Sequence, residues 1–234
     1  MTSLLTRLLG HRERDLEGAL AGHAGLKERI NLRQPVENTD FVCFDTELTG
    51  LDFKRDSIIS IGAVRLRGGR ILPGQTFYRL VRPDSELKSQ GVVVHELTHS
   101  DLAEADTGDV VLRDFIEFIG DAVLIGHFVF IDVNFVNRGL KKHFGLGLQS
   151  PALDTSTLHD WLYENDSRFA RHHSGMTFKN DLFSLARRYG IEVEKAHNAM
   201  YDAYITAQLF QRFISFLPNC GVKTLKELLG ICKT

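Results

Sequence analysis

The chain has 234 residues, 43% hydrophobic and 25% charged, with a formal net charge of −2, proportions ordinary for one globular domain with a sizeable core. That charge argues against a broad basic surface gripping long duplex by counterion release, though not against an enzyme that holds a few nucleotides in one pocket. Cys43, Cys220 and Cys232 form no C-x-x-C pair, so neither a disulfide framework nor a cysteine zinc site is expected, and a reducing cytoplasm fits. No run approaches the ~18 apolar residues of a membrane span, and the opening MTSLLTRLLGHRERD is too short in apolar residues for a signal peptide; no membrane association is expected.

Residues 1–38 are helical in pattern. Leu4, Leu5, Leu8 and Leu9 make a small apolar stripe, continued by Leu16, Leu20 and Leu26, and a breaker cluster follows at Gln34-Pro35-Val36-Glu37-Asn38. They read as an N-terminal extension, packed on the domain of 39–234 or on a partner. FVCFDTE (41–47), SIISIGAVRLRGG (57–69) and ILPGQTFYRLV (71–81) are β-prone and form a predicted meander. The pattern then changes. DVVLRDFIEFIG (109–120) is an amphipathic helix, AVLIGH (122–127) a short buried strand, and Val133, Val136, Leu140 and Phe144 mark a helix over 130–144. ALDT (152–155) is the predicted last strand, with helices at about 155–164, 181–189, 199–217 and 223–230. Three antiparallel strands followed by alternating helices and strands predict an α/β domain with a mixed sheet.

His95-Glu96-Leu97-Thr98-His99 matches H-E-x-x-H literally. On one helix that motif holds zinc, with the Glu as general base of a metalloprotease. The local sequence opposes it. Val92-Val93-Val94 is a stiff β-branched lead-in, and Asp101 with Glu104 resembles a capping box, so the predicted helix starts after His99 and the two imidazoles lose their common face.

The acids carry a stronger signal. Asp45 and Glu47 stand two apart at the end of the first buried strand and so project from one face. Two carboxylates there are costly unless a cation neutralises them, and hard oxygen donors suit Mg²⁺ or Mn²⁺. Asp132 follows the strand AVLIGH, at the start of a helix. Asp202 falls in the first turns of the next-to-last helix, with Asn198 a good N-cap and His197 just ahead of it. Residues five apart on a helix do not share a face; a His197 that leaves the helix can still aim at the site of Asp202. Beside four acids it is a candidate general base near neutral pH.

Asp45-Thr46-Glu47, then Gly126-His127 with Asp132, then His197-Asn198-Ala199 with Asp202-Ala203, resemble the three motifs of the DEDD exonucleases, in their His-bearing branch, which includes the proofreading epsilon subunit of bacterial DNA polymerase III. The resemblance covers about 41–217. It implies a ribonuclease H-like α/β fold and metal-dependent 3′–5′ hydrolysis of the terminal phosphodiester, with nucleoside monophosphates released. It implies two Mg²⁺ or Mn²⁺ ions, Asp45 bridging both, Glu47 and Asp202 completing one site and Asp132 holding the second. His197 would take the proton of the attacking water. Thr46, Leu48, Thr49, Gly50, Leu51 and His127 would lie against the terminal nucleotide, and Lys195, Arg168, Arg171, His172, His173 and Lys179 could meet phosphates. The implied partner is nucleic acid with a free 3′ end, DNA favoured over RNA, with a polymerase or other protein docking through residues 1–38. The turn common in the family ahead of its second motif gives H-E-L-T-H a place as a turn.

This sequence departs from the family pattern twice. His127-Phe128-Val129 stands where members often read H-N-A, and Leu48 replaces the first Thr of D-T-E-T-T-G. An RNA-directed 3′–5′ exoribonuclease of the same superfamily is the alternative. A non-catalytic nucleic-acid-binding module is opposed by the intact acids and His197, and the zinc metalloprotease is the remote alternative.

Overall fold

The computed structural model describes residues 18–83, 97–172, 179–194 and 197–232, with the side chains of His99 and His172 outside that set. A five-stranded sheet has the order β3-β2-β1-β4-β5, built from β1 (Asp40–Leu48), β2 (Ile58–Arg67), β3 (Arg70–Leu80), β4 (Val123–Gly126) and β5 (Ala152–Asp154). β1 pairs antiparallel with β2 and parallel with β4; β2 and β3 pair antiparallel, β4 and β5 parallel. The predicted mixed sheet is thus present, with the antiparallel meander on one side and the parallel strands on the other, and β1 at its centre.

Strand alternation divides the core. Phe41 and Cys43 of β1, Val64 and Leu66 of β2, and Val123 and Ile125 of β4 pack on one face. Val42, Phe44, Ile61, Ala63 and Leu124 pack on the other. Helices α2 (Gly108–Ile119) and α3 (Phe130–Phe144) cover the second face, while α7 (Ala199–Ile214) lies across the first. The buried side of α7 repeats at helical spacing through Asp202, Ile205, Thr206, Leu209, Phe210 and Phe213, and Phe210 meets Phe41 edge-on at 5.0 Å. The remaining helices are α1 (His99–Ala103), α4 (Thr155–Asn165), α5 (Ser167–His172), α6 (Leu182–Arg188) and α8 (Leu225–Ile231).

Three boundaries differ from expectation. α7 ends at Ile214 rather than near 217, because the chain tightens into a 3₁₀ turn at Leu217–Cys220 with Pro218 in its first positions. α5 falls where no helix was expected, and carries Arg168 and Arg171 of the basic set. Asp166 caps its start by accepting from the backbone N–H groups of Arg168 and Phe169, and Phe169 is fully buried. α1 starts at His99 with Thr98 as its N-cap in a capping box with Asp101, not at Asp101 with Glu104. Leu97 and Thr98 are therefore outside any helix, and the single helix that a zinc H-E-x-x-H requires is not formed; His95 lies outside the described residues.

The described residues ahead of β1 pack on the rest of the fold. Residues 18–24 are helical and Leu26–Arg29 adds a turn. Leu26 is fully buried, His23 Nε2 accepts the Gln149 N–H at 2.9 Å, and Arg29 pairs with Asp121 at 2.9 Å. Residues 32–36 then run beside the start of α8. Val36 N–H donates to the Lys223 carbonyl, while Leu225 and Lys226 donate to Gln34 and Leu32. Among the described residues no helix is long and apolar enough to cross a membrane, and all three cysteines are unpaired.

Candidate active site

The parity that sorts the core also aims the acids. Asp45 and Glu47 continue the Phe41 and Cys43 series of β1 and so emerge on the α7 face, where Asp202 occupies the first turn of that helix. Carboxylate oxygens of Asp45, Glu47 and Asp202 all lie within 4.8 Å of one another. The approach depends on Gly62, the register partner of Asp45 on β2. A Cβ at Gly62 would stand 2.2 Å from the backbone of Ala199 and Met200, so only glycine lets the start of α7 rest on the sheet. Tyr78 completes that row on β3, and its phenol hydrogen bonds with Asn198, whose side chain caps α7 by accepting the Tyr201 N–H at 3.2 Å.

Asp132 arrives from the opposite face. It is buried in the first turn of α3, and its Oδ1 accepts the Thr46 N–H at 2.9 Å and the Thr46 hydroxyl as well. Its placement is therefore tied to the residue between Asp45 and Glu47. Burial, then the charges of Asp132, Asp202 and Glu47, hold the Asp45 carboxyl well above the usual carboxylate range. Burial also raises Asp132 against the hydrogen bonds from Thr46. Burial followed by Glu47 pushes Asp202 up to about 7, opposed by hydrogen bonds from the backbone of His197 and Asn198. Among the described residues, the buried Oδ1 of Asp202 has no hydrogen-bond partner. A knot of raised carboxyls with an unsatisfied inward oxygen is what a divalent cation with oxygen ligands would relieve, so these residues fit Mg²⁺ or Mn²⁺.

His197 sits outside α7, as expected, with φ of 64°. Its N–H reaches Asp202 Oδ2 at 3.2 Å, and its exposed imidazole packs edge-on against Phe183 at 5.2 Å between ring centres.

The residues expected against a terminal nucleotide divide differently. His127 is a correction. It is buried, its Nε2 donates to the Asn180 carbonyl at 2.6 Å, and its Nδ1 lies 2.9 Å from Thr155 Oγ1; burial lowers its pKa. With both nitrogens engaged, it braces the turn between β4 and α3 rather than facing a ligand. Thr46 likewise turns inward to Asp132, and Leu48 belongs to the core beneath α3. Thr49 gives its hydroxyl to Asp56 at 3.2 Å and takes the Ser57 N–H on it at 2.9 Å. Gly50 backs directly onto Asp56, where a Cβ would lie 2.4 Å from the carboxylate. Leu51, 68% exposed, is the side chain of that stretch that reaches solvent.

Sequence reasoning missed the residues that secure this loop. Asp56 is buried and also accepts the Asp52 N–H at 2.9 Å, and Arg138 of α3 donates to the carbonyls of Phe53 and Asp56. The Asp-rich spacing from Asp52 to Asp56 was a turn signal for the first; nothing in sequence linked Arg138 to residues 85 positions away. Among the basic residues, Arg168, Arg171 and Lys179 are exposed, while His173 and Lys195 lie outside the described residues.

A mixed sheet with acids gathered at the carboxyl end of its central strand defines a ribonuclease H-like nuclease domain. The family model described as Exonuclease (RNase_T) matches residues 42–210, and the chain belongs to that exonuclease family. It is 29% identical over 188 residues to the DNA polymerase III subunit epsilon of Aquifex aeolicus, covering 80% of this chain and 87% of that one. It is 30% identical over 198 residues to the PolC-type DNA polymerase III of Thermotoga petrophila, covering 85% of this chain and 14% of the polymerase; it thus spans only a small part of such relatives. In fold it resembles E. coli Exonuclease I in complex with a dT13 oligonucleotide, with a TM-score of 0.66 at 16% identity over 78% of this chain and 42% of that one. Exonuclease X in complex with 5′ overhanging duplex DNA gives 0.60 at 22% identity over 82% and 99%.

Proposed function

We propose that the chain is a divalent-cation-dependent 3′–5′ exonuclease that shortens single-stranded DNA from its 3′ end and releases nucleoside monophosphates. The observation that carries this reading is the convergence of Asp45, Glu47 and Asp202 within 4.8 Å, with Asp132 tied to Thr46 beside them. Membership of the exonuclease family and similarity to polymerase III epsilon support it.

In this reading Asp45, Glu47 and Asp202 would hold one cation, and Asp45 with Asp132 would hold a second. Two such ions, when bound, make a water nucleophilic and stabilise the leaving 3′ oxygen. The chain's own groups do the rest. His197 takes the proton of the attacking water, its side chain exposed and its backbone N–H held on Asp202. Thr46 fixes the rotamer of Asp132. The loop 49–57, closed by Asp56 and Arg138, gives the terminal nucleotide a firm floor with Leu51 at its edge. Residues 1–38 as an extension to an exonuclease domain of 39–234, docking to a polymerase through that extension, and a cytoplasmic setting belong to the same proposal.

The test is digestion of a 5′-labelled single-stranded DNA and the matching RNA, with Mg²⁺ or Mn²⁺ and with chelator, beside Asp45→Ala. The expected result is a metal-dependent ladder shortening from the 3′ end, faster on DNA and absent in the variant. Cleavage that survives in Asp45→Ala, or internal cuts, would refute the assignment, and faster RNA turnover would reverse the substrate.

A further inference from the structure

We propose that Phe53, Phe128 and Phe130 form a stacking platform for the unpaired bases of a strand whose 3′ end lies at the acids; this rests on the exonuclease reading and names how that site selects single strands. Large apolar side chains seldom stand in solvent beside one another without a use. Here Phe130 is 66% exposed, Phe128 44% and Phe53 38%. Phe128 lies in the turn that leads into α3 and Phe130 opens that helix, whose first turn carries Asp132, so both rings stand on the element that delivers one of the acids.

The platform is built rather than loose. Phe53 stands on the core through Phe135, at 5.3 Å between ring centres, and meets Phe130 edge-on at 5.8 Å. Arg138 fastens the loop carrying Phe53 to α3 through the Phe53 and Asp56 carbonyls. Phe128 is held at φ 52°, a conformation that bulky side chains rarely adopt. Asp154 accepts the N–H of the next residue at 2.7 Å, and the Phe128 ring leans on His127 at 4.5 Å. Sparsely populated backbone conformations cluster at functional sites, and this one carries an exposed ring. Phe128 also stands where members of the family often carry Asn, so the platform is a property of this chain.

The occupant follows from the chemistry. Planar rings present flat apolar faces that match nucleobases, and each base stacked on an aromatic ring contributes to affinity whatever its identity. Bases in a duplex already stack on one another and cannot offer their faces; an unpaired strand can.

The test measures binding of a fluorescein-labelled single-stranded oligo-dT in chelator, where no hydrolysis occurs, and in parallel KM and kcat with Mg²⁺. Phe130→Ala and Phe128→Ala should each weaken binding by roughly tenfold and raise KM more than they lower kcat. Phe130→Tyr should retain affinity, whereas Phe130→Leu, apolar but not planar, should not. Abasic sites in the three 3′-terminal nucleotides should weaken binding to the wild type more than binding to Phe130→Ala. Equal affinity in Phe130→Ala, rescue by Leu as full as by Tyr, or a variant as sensitive to abasic sites as the wild type would overturn the platform. If base-dependent binding persists while Mg²⁺ yields no hydrolysis, the platform stands and the exonuclease reading falls. Hydrolysis with base-independent binding gives the reverse.

Discussion

In the metal-free protein, Asp202→Asn should be more stable than the wild type at alkaline pH, the reverse of what usually follows a change to a buried residue. Burial and the Glu47 charge push the Asp202 carboxyl up to about 7, whereas an unfolded aspartate ionises near ~3.9. Between those values the folded chain holds a proton that the unfolded chain has released. Stability therefore falls as pH rises through that window, and the loss is complete above about pH 7. The gap corresponds to about 4 kcal/mol. Burial accounts for the larger part of that gap and the Glu47 charge for the rest. Asn removes the charge, keeps the shape and retains an oxygen for the His197 N–H. In chelator at about pH 8 the variant should melt roughly 8–16 °C higher than the wild type, and the two should converge near pH 4. Adding Mg²⁺ or Mn²⁺ should raise the wild type and leave the variant nearly unmoved, narrowing or inverting the order. Thermal unfolding followed by circular dichroism reads all of this. A variant less stable than the wild type in chelator at pH 8, or a difference that ignores pH, would refute the argument that charge repulsion strains the cluster.

His197→Ala should lower kcat by about 10²–10⁴ and remove the limb of the pH–rate profile that reports the base; an unchanged rate and profile would take it out of the reaction. Gly62→Ala should cost about 1–3 kcal/mol as α7 is pushed off β2, and its activity should drop by about 10² because Asp202 moves away from Asp45; turnover near that of the wild type would show that α7 is free to adjust. Thr46→Val keeps the backbone bond to Asp132 but loses the hydroxyl, and should raise the Mg²⁺ concentration for half-maximal rate by about tenfold, measured by metal titration. The double variant His95→Ala, His99→Ala should leave nuclease activity intact, with no stoichiometric zinc in elemental analysis of the wild-type protein; zinc lost in the double variant would contradict this.

The elements were readable where burial and periodicity coincide. β1 lies between two helical layers and is apolar on both sides, so FVCF announces a central strand, and the shift to helical spacing after residue 108 marks the second half of the fold. The acids were readable because a buried strand that ends in Asp-Thr-Glu contradicts its own environment unless something binds there. What escaped depends on contacts distant in sequence. Whether His127 faces a ligand or the protein is decided by Thr155 and the Asn180 carbonyl, neither of which leaves a mark near His127. Thr46 and Thr49 look like substrate-facing hydroxyls in a motif, yet Asp132 and Asp56 take them up across the fold. The short helix α5 was hidden because its charged residues outnumber its one buried anchor, Phe169. Pro73 within β3 escaped objection because β3 is the edge strand, where its register with β2 shifts between Val64 and Arg65.

The seam between residues 32–36 and the start of α8 ties the segment that leads into β1 to the last described helix. β1 leaves that seam at Asp40 and delivers Glu47 roughly 20 Å away, at the far end of the strand. Small shifts where the two segments meet reach the acids only along β1, which is held by hydrogen bonds to β2 on one side and β4 on the other.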